Sequence, residues 1–255
     1  MASTTSSPAR PAGNLVLGAL PPAELEVLRP HLVRMRLVNG QTLQEPDQAI
    51  EHLFFVDQGF ISLVIEARDL PGGVEVGLVG REGVVGLAAF LTASGLAFTR
   101  AMVQMAGSGS RLAVPVLRDA LPRLPSLRRR LRRAVLLDQV QAMQTAACNS
   151  RHTLAQRCAR WLLLARDRTE TDELAITQEF LSIMLSVRRP GVTSALGELR
   201  ERGLLRSSRG KVVIADRAGL EAAACGCYRR VRDFEAMSLG RGGAHGNDDD
   251  GVYFD

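Results

Sequence analysis

The apolar positions of this chain change their period along its length. From Leu32 to about Val116 they fall in short or alternating runs closed by glycine or a turn: LVRMRLV before Gly40, HLFFV before Asp57-Gln58-Gly59, FISLVIEA before Pro71-Gly72-Gly73, then VEVGLVG, GVVGL and RAMVQMAG. Many short strands at close spacing predict an all-β barrel or roll, with Phe54, Phe55 and Phe60 filling its core. A short helical cap precedes it over 15–31, opened by Pro21-Pro22 and carrying Leu25 and Leu28 on one face. From Leu124 the period becomes helical. LPSLRRRLRRAVLLDQVQAMQTAACN has no Gly or Pro after Pro125. Leu136, Val140, Met143 and Ala147 line up on one seam of that helix, the pattern of a helix paired with a twin. Asn149-Ser150 is expected to break it, and the arginines at 128, 129, 130, 132 and 133 to form a solvated face.

The next stretch carries the most information. In ITQEFLSIMLSVRRPGVTSALGELRER (176–202), Thr177 is the expected N-cap, with Gln178 and Glu179 in the first turn. Phe180, Leu181, Met184 and Leu185 give a buried face. Ser186-Val187-Arg188 is short enough to be a tight turn. A second helix begins near Arg189-Pro190, where proline costs no helical hydrogen bond. Val192, Ala195, Leu196 and Leu199 supply its buried stripe. Gly203 stops it. Leu204-Leu205, a basic turn Ser208-Arg209-Gly210-Lys211, and Val212-Val213-Ile214 then form a hairpin. Helix, turn, helix and basic hairpin in this order predict a winged helix-turn-helix whose second helix enters the major groove of double-stranded DNA. The expected DNA-contacting residues are Thr177, Gln178, Arg188, Arg189, Pro190, Gly191, Thr193, Ser194, Arg209 and Lys211.

Charge supports that partner. The formal net charge is +5, and 151–211 holds twelve basic against seven acidic residues, which suits phosphate contact. Lys211 is the single lysine. The four cysteines are Cys148, Cys158, Cys225 and Cys227. Without a secretion signal they are expected to be reduced, in a cytoplasmic protein. Cys225-Gly226-Cys227 is shorter than the usual C-x2-C zinc spacing, with no histidine near it in sequence; inert thiols are expected, and no metal or cofactor. Cys148 and His152 lie four residues apart without an evident third member, so their spacing reads as coincidence and not as a nucleophile pair. No enzyme activity is expected. No apolar run reaches a membrane span. The expected organisation is a disordered leader (1–14), a β-roll (15–122), a dimerisation helix (123–149), a winged helix-turn-helix (150–235) and a disordered tail (236–255).

An N-terminal β-roll, a long dimerisation helix and a C-terminal winged helix-turn-helix together resemble the Crp/Fnr family of bacterial transcription regulators. The resemblance covers roughly 15–230 and is carried most specifically by GREGVVGL (80–87), ARWLLLARDR (159–168) and ITQEFLSIMLSVRRPGVTSALGELRERGLL (176–205). It implies an α+β chain whose jelly-roll-like β-roll is sensory, and a homodimer acting on a palindromic promoter site with RNA polymerase as a partner. The departures are informative. Members that bind cyclic AMP carry Gly-Glu-Leu followed by Arg-Ser or Arg-Thr. Here the matching stretch is Gly86-Leu87-Ala88, with Leu87 at the glutamate position. Arg100 is the only arginine between Arg81 and Arg111. A buried phosphate needs a fixed cationic partner, so cyclic AMP is not the expected effector. The alternative is a cyclic nucleotide or another small effector held by Val85, Gly86, Leu87, Ala88 and Arg100. Members with an iron–sulfur cluster carry N-terminal cysteines, and none precedes Cys148. Haem sensing would rest on His31 or His52 alone. Where the family often has Ser-Arg-Glu-x-x-x-Arg, this chain has Arg188, Arg189, Pro190 and Ser194, so its operator is expected to differ.

Overall fold

The computed structural model describes residues 13–67, 70–208 and 210–239. Two short helices, α1 (Leu15–Gly18) and α2 (Pro22–Leu28), lead into strands β1 (Val33–Leu37), β2 (Thr42–Gln44), β3 (His52–Ala67), β4 (Leu70–Val79) and β5 (Val84–Val85). Helix α3 (Ala88–Leu91), strand β6 (Arg100–Ala113) and helix α4 (Val114–Ala120) complete the roll. Its antiparallel sheet has the order β1-β6-β3-β4, with β2 also on β6 and β5 on β3. The long helix α5 (Pro125–Arg151) follows, then α6 (Leu154–Thr169), β7 (Glu173–Leu174), α7 (Gln178–Met184), α8 (Arg189–Glu201), the hairpin β8 (Leu205–Ser208) and β9 (Lys211–Ile214), and helices α9 (Arg217–Ala223) and α10 (Cys227–Ser238). The expected α+β layout of roll, long helix and winged helix-turn-helix is therefore present. Among the described residues no helix is long and apolar enough to cross a membrane.

Several local expectations are corrected. Asp57-Gln58-Gly59 does not end a strand: β3 runs straight through it. Pairing with β6 shifts register there, and Gly59 takes φ +82°. This is a bulge, where the extra residue bends a strand without terminating it. A Cβ on Gly59 would lie 2.3 Å from the Met105 carbonyl oxygen, so only glycine fits. Asn149-Ser150 is helical, and the break falls at His152. The reason is Thr153, which caps α6 in a reciprocal capping box with Gln156; Asn and Ser cost a helix interior only a few tenths of a kcal/mol each. Asn14, expected in a disordered leader, is buried. It caps α1 and donates through Nδ2 to the carbonyls of Val56 (3.1 Å) and Gly83 (2.9 Å). At the other end α10 continues to Ser238, past the expected boundary at 235. Residues 1–12 of the expected leader and 240–255 of the expected tail lie outside the described residues.

The three phenylalanines assigned to one core belong to three. Neighbours on a strand point to opposite faces, so Phe55 packs with Leu28, Leu117, Leu127 and Leu131 under the helices, and Phe54 packs with Ile61, Val79 and Val103 inside the roll. Beyond the bulge, Phe60 joins Leu78, Trp161 and Leu162 in the core shared with the C-terminal module. Its ring meets Trp161 edge-on at 6.2 Å, and Trp161 meets Phe180 at 5.7 Å. The roll and the helix-turn-helix are thus one packed body along β3, β4, α6 and α7. The absence of a histidine near Cys225 and Cys227 holds in sequence but not in space: Cys148, Cys225 and Cys227 cluster where α10 meets the end of α5, beside His152.

Candidate nucleic-acid interface

Helix α7 starts where the sequence predicts. Thr177 Oγ1 accepts from the Phe180 N–H at 3.1 Å. Ser186 takes the left-handed φ of +50° that turns the chain, and an Arg157 guanidinium N–H donates to the Leu185 carbonyl, tying the turn to α6. Helix α8 starts at Arg189 with Pro190 in its first turn. It ends in a Schellman pair: Gly203 (φ +73°) donates to the Arg200 carbonyl and Leu204 to the Leu199 carbonyl. Val192, Ala195, Leu196 and Leu199 are buried, as their spacing requires.

That packing leaves one side of α8 in water. Arg188, Arg189, Pro190, Thr193 and Ser194 are exposed. Neither Arg188 nor Arg189 makes an ion pair among the described residues. Two expected contacts are engaged within the protein instead: Thr193 Oγ1 donates to Gln178 Oε1 at 2.9 Å, locking α8 to α7. Gly191 also faces inward, since a Cβ there would lie 3.0 Å from Leu154 Cδ2. Its role is close approach of α8 to α6. On the hairpin, Ser208 pairs with Lys211, Gly210 takes φ +75°, and Lys211 Nζ meets Glu173 Oε1 at 2.5 Å. Both of those side chains are half exposed, so the pair is worth little in water and a phosphate can displace it. Arg209 lies outside the described residues.

A groove of about 560 Å³ runs between α7, α8 and the hairpin, and Arg189, Arg200 and Lys211 all line it with Ser207 and Ser208. Sequence reasoning missed Arg200, Ser207 and Ser208. Arg200 was findable: it lies three helical turns beyond Arg189, on the same face. The serines became visible only once the hairpin register, Ser207 against Val212 and Ser208 against Lys211, placed both beside the groove.

The residues proposed for an effector do not come together. Val85 packs inside the roll and Leu87 under the helices, in two different cores. Gly86 takes φ +94°, and a Cβ would strike the His52 carbonyl at 2.7 Å. Strand β3 measures the separation: Val85 pairs with Phe54, whereas Arg100 pairs with Val64, ten residues further along it. Arg100 is held there by Glu66 (2.8 Å) and Glu45 (3.1 Å). It is an ion pair at the start of β6, not a cation waiting beside the Gly86-Leu87-Ala88 stretch. On α5 the seam is uncovered among the described residues: Leu136, Met143 and Ala147 are exposed and Val140 half-buried, while Leu127, Leu131, Leu137 and Cys148 face the core.

Comparison with known proteins agrees with this geometry. Residues 156–223 match the Crp-like helix-turn-helix domain. No curated protein sequence matches the chain. Among solved structures, FixK2 from Bradyrhizobium japonicum superposes with a TM-score of 0.64 at 17% identity, covering 76% of this chain and 98% of that one. The c-di-GMP responsive global regulator CLP of Xanthomonas campestris gives 0.61 at 16% identity, over 76% of this chain and 99% of its own. A CRP-family transcriptional regulator from Thermus thermophilus gives 0.60 at 21% identity, over 74% and 96%. The chain thus carries a Crp-like helix-turn-helix domain on the fold shared with Crp/Fnr transcription regulators.

Proposed function

We propose that this protein is a cytoplasmic, sequence-specific transcription regulator, not an enzyme, that binds a palindromic DNA site as a homodimer and works with RNA polymerase. The observation that carries the reading is the row of cations on the open side of α8 and the hairpin: exposed Arg188 and Arg189 form no ion pair among the described residues, and Arg189 and Arg200 on α8 line one groove with Lys211 on the hairpin. Arginine forks onto the O6 and N7 of guanine, and a helix-turn-helix reads bases with the N-terminal residues of its second helix. Pro190 stands where an acceptor for cytosine N4 would otherwise sit, so the preferred site departs from that of typical members. The apolar seam Leu136, Val140, Met143 and Ala147 supports a two-fold pair along α5, since a monomer leaves Leu136 and Met143 45% and 56% exposed. Control by a cyclic nucleotide through Arg100 is disfavoured, because Glu45 and Glu66 already neutralise that guanidinium.

Selection from a random duplex pool with the purified chain tests the reading. Enrichment of an inverted repeat with half-sites about one helical turn apart is expected. No enrichment, with or without added cell extract, would overturn it. On the selected site, Arg189→Ala is expected to cost roughly 1–3 kcal/mol and relax the preference at one position per half-site. Lys211→Ala is expected to weaken all duplexes alike and lower the salt slope by about 1 per subunit. Binding titrations at three salt concentrations separate the two effects. An unchanged preference in Arg189→Ala would place base readout elsewhere.

A further inference from the structure

Four soft donors from two distant parts of the chain meet at one point outside the DNA-binding groove. Cys148 lies in the last turn of α5, and His152 is the residue that closes that helix. Cys225 and Cys227 flank the turn from α9 into α10. The three sulfurs and a ring nitrogen of His152 all lie within 4.8 Å of one another. Cys148 Sγ is 3.4 Å from Cys225 Sγ, and Cys227 Sγ is 3.5 Å from His152 Nδ1. All three cysteines are buried and form a cluster of their own, separate from the three apolar cores.

We propose that Cys148, His152, Cys225 and Cys227 form a structural zinc site. Zinc is tetrahedral, with Zn–S near 2.3 Å and Zn–N near 2.0–2.1 Å. The edges of such a tetrahedron are about 3.8 Å between sulfurs and about 3.5 Å between sulfur and nitrogen, by geometry from those bond lengths. The sulfur–nitrogen contact of 3.5 Å matches its edge, and the two sulfurs 3.4 Å apart need to open by about 0.4 Å to take an ion between them. Three thiolates and one imidazole form one of the closed ligand sets that hold zinc without an open position for water. Donors all within 4.8 Å of one another are too close together to surround a multi-iron cluster, and their spacing suits a single ion. A surrounding shell is present as well. Gln144 Nε2 donates to Cys227 Sγ at 3.0 Å, and Arg160, anchored on Thr145 Oγ1 at 2.9 Å, brings positive charge to Cys148. Such partners orient ligands and offset the negative charge of three thiolates. Cys158 is buried in α6, within the core of the C-terminal module, and takes no part.

The placement gives the ion a task. His152 sits at the corner between α5 and α6, and α10 packs back along α5. An ion held by both would fasten the C-terminal helix of the DNA-binding module to the long helix and fix the corner from which that module hangs. The binding free energy then becomes folding free energy for this joint.

The full-length chain, purified with thiols reduced, should contain about one zinc per chain by elemental analysis. Cobalt(II) replacing it should show sulfur-to-metal charge transfer and the intense visible bands of a tetrahedral ion. His152→Ala and Cys227→Ser should each lower bound zinc at least about tenfold at micromolar free metal, whereas Cys158→Ala keeps it. Because a cysteine variant can misfold, His152→Ala, at a half-buried position, is judged together with its circular dichroism. Chelation should lower the thermal midpoint of the native chain and zinc should restore it, with no such response in His152→Ala. These readouts are independent of whether DNA is bound. The proposal is overturned if the fully reduced, folded chain takes up neither zinc nor cobalt, or if His152→Ala binds zinc as tightly as the native chain. A Cys148–Cys225 disulfide in the isolated protein, with no metal uptake after reduction, would also overturn it.

Discussion

Arg168→Met is expected to destabilise the protein by about 3–5 kcal/mol. Arg168 lies in the last turn of α6 and its side chain is 3% exposed, as is that of Glu82. The two meet at 2.7 Å. The same guanidinium donates to the carbonyls of Leu164 (3.0 Å) and Leu78 (3.1 Å) and to Gln141 Oε1 (3.4 Å). One side chain therefore ties α6 to the β-roll and to α5. Removing it leaves the Glu82 carboxylate buried with, among the described residues, the Gly80 N–H (2.9 Å) as its remaining hydrogen bond, and an uncompensated buried charge is what makes broken pairs costly. At roughly 2–4 °C per kcal/mol for a chain of this size, the thermal midpoint should fall by about 10 °C. The double variant Arg168→Met, Glu82→Leu should recover much of that loss, because two apolar side chains can replace a buried pair at little cost. Unfolding followed by both circular dichroism and Trp161 fluorescence checks this. A loss below about 1 kcal/mol in the single variant would mean that the pair is not buried in solution.

That contact also shows where sequence reasoning reaches its limit. GREGVVGL and ARWLLLARDR both stood out along the chain, but nothing in either said that they touch. Their meeting explains Gly80: a Cβ there would lie 2.7 Å from both Arg168 Cγ and Glu82 Oε2. The glycine leaves room for the arginine to cross. The helix-turn-helix was legible because its determinants are local. A capping threonine, a 3.6-residue stripe and a stopping glycine all act within a few residues of themselves. The passage of β3 through Gly59 was not, because the same tripeptide ends one strand and bulges another, and the choice lies with the facing strand β6. The groove was half legible, since its α8 side follows from helical spacing while its hairpin side depends on register. The Cys–His cluster was hidden by distance along the chain: Cys148 and Cys225 are 77 residues apart, and ligand-spacing rules see only neighbours. Arg100 shows the opposite error, a residue singled out by its rarity that tertiary pairing had already assigned to Glu45 and Glu66.

Stability should fall as pH rises from about 5 through 7, and Glu75→Gln should remove a large part of that fall. Glu75 is buried on β4, where burial pushes its carboxyl up to about 7, against the opposing hydrogen bonds of Ser62 and Trp161. Trp161 Nε1 donates to Glu75 Oε1 at 2.7 Å, and Ser62 Oγ lies 2.5 Å from Oε2. Ser62 Oγ is also 3.7 Å from Met184 Sδ. Ser62 and Glu75 belong to the roll, Trp161 and Met184 to the helix-turn-helix module, so this carboxyl sits in the joint between the two. The folded value lies above the unfolded one. Its contribution is therefore fully present below about 4.5 and is lost as pH climbs through about 7, when the carboxyl must ionise without water. A shift of that size is worth about 3 kcal/mol at most. Asp138 and Glu235 are also pushed up to about 7, by burial and then by the nearby Glu82, so the native curve contains their contributions too. The difference between native chain and Glu75→Gln isolates Glu75, since glutamine can still accept from Trp161 and donate to Ser62. Thermal midpoints measured from pH 5 to 8 should drop more steeply for the native chain than for the variant. The emission of Trp161, the only tryptophan, should change across the same range in the native chain alone. Parallel curves would show that Glu75 is already hydrated, and that the roll and the helix-turn-helix are not closed over it.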